Sequence, residues 1–201
     1  MDPGRNPSQE TLAMDAIETL MNEHRNIERA IDALVAFAAQ ARRGRTDDER
    51  ERLGRFVEFI REYADRQHHG KEEDILFAAM VEVGFPRQGG PIAVMLHEHD
   101  TGRALVAELA SLARPGAPWS DEDRVRLADA AIGYGNLLRS HIHKEDAILY
   151  PMAEQRLPEA VARRVDEACE RFDAERRSRG EAQRLEALAA QLAPAGEPAH
   201  P

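Results

Sequence analysis

A single cysteine, Cys169, in 201 residues excludes an internal disulfide. It also argues against a structural zinc site, which would normally need several thiolates. Cys169 lies in VDEACERF, a stretch of helical composition, and reads as a packing residue. No apolar run approaches the roughly 20 residues that a membrane span requires. The N-terminal MDPGRNPSQE has no hydrophobic core of a signal peptide. A soluble cytoplasmic protein is the expectation. Basic residues are outnumbered, 27 against 37 acidic, for a net charge of −10. That balance argues against non-specific nucleic-acid binding and against an anionic membrane surface. Aromatics are only 5%, and the 13 glycines and 11 prolines gather at a few places. The long stretches between them are dominated by Ala, Glu, Arg and Leu, which favours helices over strands.

Apolar residues recur at helical spacing in four long segments. Leu20, His24, Ile27, Ile31 and Leu34 line the first, expected over about 12–43 and ended by Gly44. Leu53, Val57, Ile60, Ala64, His68, Glu72, Ile75 and Ala79 line the second, from Asp47 and Asp48 to about Val83. Ile92, Met95, His99, Val106 and Leu109, with Gly102, line the third, which ends near Ala113. Ser120 to Asp123 resembles a capping box opening the fourth, with Leu127, Ala131, Tyr134, Leu138, His141, Glu145, Ile148 and Met152 inward. Pro151 should kink that helix or tighten its last turn. Short connections make neighbours antiparallel, so the expectation is an all-α, up-down-up-down four-helix bundle. It should span residues 11–156, between a disordered 1–10 and a C-terminal helical extension over 157–193. A disordered tail over 194–201, containing His200, ends the chain.

Two ten-residue segments are near copies. HHGKEEDILF, residues 68–77, and HIHKEDAILY, residues 141–150, align without a gap. Both carry His-x-x-x-Glu, which sets imidazole and carboxylate one above the other on a helix face. Each copy is preceded by a Glu-His pair, Glu23-His24 and Glu98-His99. The chain therefore repeats one helix pair, each carrying two His and one Glu.

Helical phase sorts the eight histidines, because each residue turns about 100° from the last. His24, His68, His99 and His141 fall on apolar stripes with Glu72 and Glu145. His69, with Glu62, Asp65, Arg66 and Glu73 as neighbours, is placed on a solvated face, in a surface ion pair with Glu73. His97 and His143 are rejected on the same test. Burying two carboxylates and four imidazoles with no cation would cost several kcal/mol per charged group. A bound metal offsets this, with about 10 kcal/mol of binding free energy for a well-formed site. Four imidazoles disfavour calcium and magnesium, and with bridging carboxylates suit iron best, then manganese or zinc.

EHRNIE around His24, HHGKEEDILF, MLHEHDTGR around His99 and HIHKEDAILYPMA together resemble the hemerythrin-like, or HHE cation-binding, family. The resemblance implies a four-helix bundle holding two non-haem iron ions, bridged by two carboxylates and an oxo or hydroxo group. It implies that His24 and His68 serve one iron and His99 and His141 the other, with Glu72 and Glu145 as bridges. Oxygen-carrying members have a fifth histidine one turn after the third-helix His, where this chain has Arg103. Their second bridging acid is an Asp at His+5, where this chain has Glu145 at His+4. Two open irons favour reaction with peroxide, nitric oxide or dioxygen over reversible carriage. The expected ligand is thus a small diatomic molecule or peroxide. A peroxide-consuming or iron-centre repair or supply protein is the second reading, and a helical interaction module with a structural metal the third. Tyr63, Tyr134 and Met95 are candidates for the pocket border. Asp100, Glu73 and Asp146 are candidates to orient imidazoles, against a solvated reading of each.

Overall fold

The computed structural model describes residues 13–44 and 48–192. The expected disordered ends, Asp47 of the second helix start, and His200 lie outside the described residues. Within them the protein is all helical: α1 (Asp15–Arg43), α2 (residues 49–82), α3 (Gly90–Ala113), α4 (residues 121–156), α5 (Glu159–Ser178) and α6 (Glu181–Leu192). The capping box at Ser120 and Asp123 is present and starts α4. Asp48 precedes α2 but makes no side-chain cap. No helix among the described residues is long and apolar enough to cross a membrane.

Side-chain pairings fix the helix directions. Along α1, His24 meets Asp146, Asp32 meets Arg139, and the Ala41 carbonyl accepts from Arg124. α1 and α4 are therefore antiparallel. The same descending order holds for α1 with α2 (Glu23–Lys71, Asn26–Tyr63, Phe37–Phe56) and for α2 with α3 (Glu73–His99, Asp65–Arg103, Arg50–Leu112). The bundle is up-down-up-down. At one end Arg124 is 6% exposed and forks onto Glu49, with both N–O distances 2.8 Å, joining α4 to α2.

The core is two apolar clusters with a polar layer between them. One runs from Ile27 to Leu112 and Trp119 and takes in Leu185, Leu188 and Leu192 of α6. The other gathers Met14, Ile17, Leu20, Leu76, Phe77, Met80, Met95 and Tyr150, with Ala162, Val165 and Cys169 of α5. Cys169 is thus a packing residue, and burial pushes its thiol up to about 12. The Asp166 carboxylate on α5 also accepts from the Ala16 amide at the start of α1 (2.9 Å).

The two duplicated segments are not regular α-helix. Ile60–His69, Glu72–Leu76 and Glu145–Leu149 are π-helical. A π turn takes in one residue more than an α turn, so everything after it is rotated by one position. This corrects the inward stripes expected from regular spacing. Leu76 and Leu149 are buried, whereas Ile75 is only half-buried and Ile148 is 51% exposed. Pro151 directly follows the Glu145–Leu149 π turn and Tyr150, and the helix continues through it to Arg156.

α1 and α4 approach closely at Gly135. A Cβ there would lie 3.1 Å from Ile31 Cγ2 and 3.2 Å from Val35 Cγ2, both on stiff β-branched side chains. Gly135→Ala should gain up to about 1 kcal/mol of helix propensity and lose about 1–3 kcal/mol to overpacking. The expected net result is a melting temperature lower by a few degrees, measured by thermal denaturation.

Candidate metal centre

The polar layer holds His24, His68, Glu72, His99, His141 and Glu145, each no more than 1% exposed. The six come from all four bundle helices. They form two overlapping donor groups, His24, His68, Glu72 and Glu145, and His69, Glu72, His99 and His141. Within each group the donor atoms lie within 4.8 Å of one another. Glu72 belongs to both: its Oε2 is 3.7 Å from His68 Nε2 and 3.5 Å from His99 Nε2. Glu145 spans the two halves with different oxygens, Oε2 at 3.3 Å from His24 Nε2 and Oε1 at 3.2 Å from His141 Nε2.

Each of the four imidazoles turns its Nδ1 to a carboxylate. His24 meets Asp146 (2.7 Å), His68 meets Glu23 (3.0 Å), His99 meets Glu73 (2.7 Å) and His141 meets Glu98 (2.9 Å). A carboxylate only accepts, so each Nδ1 carries a proton and each Nε2 is turned inward, where a neutral ring presents a lone pair. The carboxylates are themselves held by cations: Asp146 by Arg25, Glu23 by Lys71, Glu73 by Arg103 and Glu98 by Lys144. This is the outer arrangement that fixes the tautomer and ring plane of metal-binding histidines.

The pattern follows the internal repeat. Glu23 and Glu98, each just before a histidine, hold the His-x-x-x-Glu imidazole of their own repeat. Glu73 and Asp146, each just after a layer glutamate, hold the first imidazole of the other repeat. Glu73 and Asp146 thus contact imidazoles rather than standing free in solvent. Asp100 is exposed and pairs only with Arg103.

The inner atoms fit a cation and little else. His24 Nε2, Glu72 Oε2 and both Glu145 oxygens are buried with no hydrogen-bond partner among the described residues. His99 Nε2 and His141 Nε2 face each other at 3.0 Å, so at most one of them can carry a proton there. Glu72 accepts from the Tyr150 hydroxyl at 2.7 Å. Burial and the neighbouring Glu145 carboxylate push the Glu72 carboxyl well up. Burial would raise Glu145 too, but the His141 and His24 rings hold it well down. Burial alone would lower His24, yet Asp146 and Glu145 raise it to about 9. Burial and the charge of His24 lower His68 to about 4. Such opposed shifts in touching groups are what a shared cation would relieve.

His69 is the residue that helical phase misplaced. It is 6% exposed, not solvated, and does not pair with Glu73. The π segment widens the buried arc to take in Gln67, His68 and His69 together. The duplication carried the signal, since His69 aligns with Ile142, an apolar residue that is 3% exposed. His69 stacks on His99 with centroids 3.8 Å apart and planes 13° from parallel. Lone pairs of nearly parallel rings run side by side, so His69 as placed covers His99 rather than converging with it. Burial and the nearby His99 lower it to about 3.

Arg103, at the position of the fifth histidine, holds Asp65 and Glu73. Beside it a cavity of about 210 Å³ runs from exposed Arg61 and Arg103 to buried His69, His99 and Tyr134. Of the expected border residues Tyr134 lines this cavity. Tyr63 accepts from Asn26 at a different, polar cavity, and Met95 packs in the lower apolar cluster. His97 and His143 are exposed.

Residues 15–153 match the Hemerythrin HHE cation binding domain. The chain is similar to the iron-sulfur cluster repair protein YtfE of Musicola paradisiaca (strain Ech703), 40% identical over 90 residues. That match covers 43% of this chain and 40% of the repair protein. It is also similar to uncharacterized proteins of Mycobacterium bovis and Mycobacterium tuberculosis, each 26% identical over 182 residues, covering 90% of this chain and 68% of theirs. The chain belongs to the hemerythrin HHE cation-binding domain family.

Proposed function

We propose that the chain holds two iron ions and binds or reacts with a small ligand, dioxygen, nitric oxide or peroxide, in the cavity beside His99. The observation that carries this is the pair of donor groups sharing Glu72, with Glu145 reaching both. His24 and His68 would hold one ion, His99 and His141 the other, and Glu72 and Glu145 would bridge them. When bound, the iron pair supplies open positions for the ligand and electrons to reduce it.

The protein's own part is positioning and insulation. Four outer carboxylates fix the ring planes of the four imidazoles before loading. Apolar clusters on both sides exclude water and lower the local dielectric, which strengthens each ionic contact. Glu72 takes the Tyr150 hydrogen bond on the oxygen turned away from the histidines, leaving Oε2 for the ions. The cavity supplies a path, with donors at its mouth (Arg61, Arg103) and an imidazole and a phenol deeper in (His69, Tyr134).

A second reading is repair or supply of iron centres elsewhere, favoured by the 40% identity to a cluster repair protein. Metal analysis of protein from iron-replete cells is expected to give two irons per chain. Its absorption spectrum should change on adding azide, nitric oxide or peroxide. Sustained oxygen evolution from peroxide would mark turnover, and transfer of iron to an acceptor protein would mark the second reading. Iron that ignores all three ligands would reduce the metal to a structural role.

A further inference from the structure

The two halves of the centre are supported by matching chains of contacts that end differently. In one, His141 Nδ1 donates to Glu98, and Glu98 is held by Lys144, whose side chain is 30% exposed. Water can complete the shell of that ammonium. In the other, His68 Nδ1 donates to Glu23, and Glu23 Oε1 accepts from Lys71 Nζ at 2.7 Å and from Gln67 Nε2 at 2.8 Å. Lys71 is fully buried, so no water reaches it. Its remaining donors go to both oxygens of Asp173, each at 3.0 Å.

Asp173 lies on α5, outside the bundle and outside the matched residues 15–153. Lys71 and Lys144 occupy the same place in the duplicated segments. The difference between them is the covering helix. An ammonium sealed from water must have all its partners or it draws on the ones it keeps. Without Asp173, Lys71 would be left with Glu23 alone, and Glu23 sets the plane and tautomer of His68.

We propose that Asp173 is a positioning residue for the His24/His68 half of the centre, acting through Lys71 and Glu23, so that loading of this half and docking of α5 favour each other. This rests on the two-ion reading above. Mutual dependence is required by linkage: if a docked α5 tightens the ion, the ion tightens α5 by the same factor. The His99/His141 half, supported from within the bundle by Glu73 with Arg103 and by Glu98 with Lys144, has no such dependence.

The test is anaerobic titration with ferrous iron, followed by calorimetry, together with amide hydrogen exchange of α5. Wild type should take two ions, and loading should slow exchange across Glu159–Ser178. Asp173→Leu should bind one ion as wild type does and the other about 10–100-fold more weakly. Its α5 exchange should no longer respond to loading. Asp173→Glu should restore both readouts, and Glu170→Gln, on the same helix but outside the contacts, should change neither. Should Asp173→Leu not fold, Asp173→Ala is read the same way. Two ions at wild-type affinity in the Leu or Ala variant, or equal weakening of both, overturns the proposal while leaving the two-ion reading intact. A wild type that takes up no ion pair overturns both.

Discussion

Glu145→Ala is expected to lose both ions, and His68→Ala only one. The geometry sets the difference. Glu145 puts Oε2 beside His24 and Oε1 beside His141, so one side chain serves both halves. His68 Nε2 belongs to one donor group alone, with Glu72 Oε2 at 3.7 Å. Its Nδ1 is turned outward to Glu23. Removing one partner of a buried charged assembly costs about 3–5 kcal/mol, or roughly 10²–10⁴-fold in affinity at 1.4 kcal/mol per tenfold. In Glu145→Ala that loss falls on each ion. In His68→Ala it falls on one, and the His99/His141 half keeps its imidazoles and both carboxylates. Metal analysis after desalting should give close to zero and close to one ion per chain. Two ions retained in Glu145→Ala would remove it from the ligand set.

Most of the bundle was legible because its cause is local. Apolar stripes at helical spacing, the glycine- and proline-rich breaks after Val83 and Ala113, and the capping box at Ser120 belong to single segments. The six layer residues were legible because the chain repeats itself, and a repeat makes a buried polar residue stand out twice. What escaped has a different origin. The π segments arise from packing around the layer, and no periodicity in the sequence announces them. They moved the inward position from Ile75 to Leu76 and from Ile148 to Leu149, and they buried His69 beside His68. Position-by-position comparison of the repeats would have caught the last, since His69 aligns with Ile142. The burial of Lys71 could not be read at all. It follows from the lie of α5, and nothing in the sequence says that Asp173 comes over the bundle at that height. Glu23 and Glu98 stood beside histidines in plain view, but their imidazole partners are on other helices.

Stripping the metal is expected to lower the melting temperature by about 20 °C or more. A well-formed site contributes on the order of 10 kcal/mol, and a chain of this size shifts by about 2–4 °C per kcal/mol. The stripped layer keeps two carboxylates and four inward Nε2 atoms in a dry interior, and protons must stand in for the cations, on the raised His24 ring and on one carboxyl. Glu72 is that carboxyl, because burial and Glu145 raise it. An acid raised on folding binds more protons native than unfolded, so it costs stability as pH rises. The cost begins at the ordinary carboxyl value of 4.5 and grows as pH climbs toward the raised one. Glu72→Gln keeps an acceptor for the Tyr150 hydroxyl and removes the charge. In the stripped protein it should match or exceed wild type in melting temperature at neutral pH, by a margin that shrinks on acidification toward 4.5. In the metal-loaded protein the order should reverse, because an amide oxygen is a poorer bridge than a carboxylate. Function and stability then have opposite preferences at this residue, as expected where a fold keeps a costly group for its chemistry. Paired melts with and without chelator test this directly. A Gln variant less stable than wild type in both states would mean that Glu72 serves packing and not the ions.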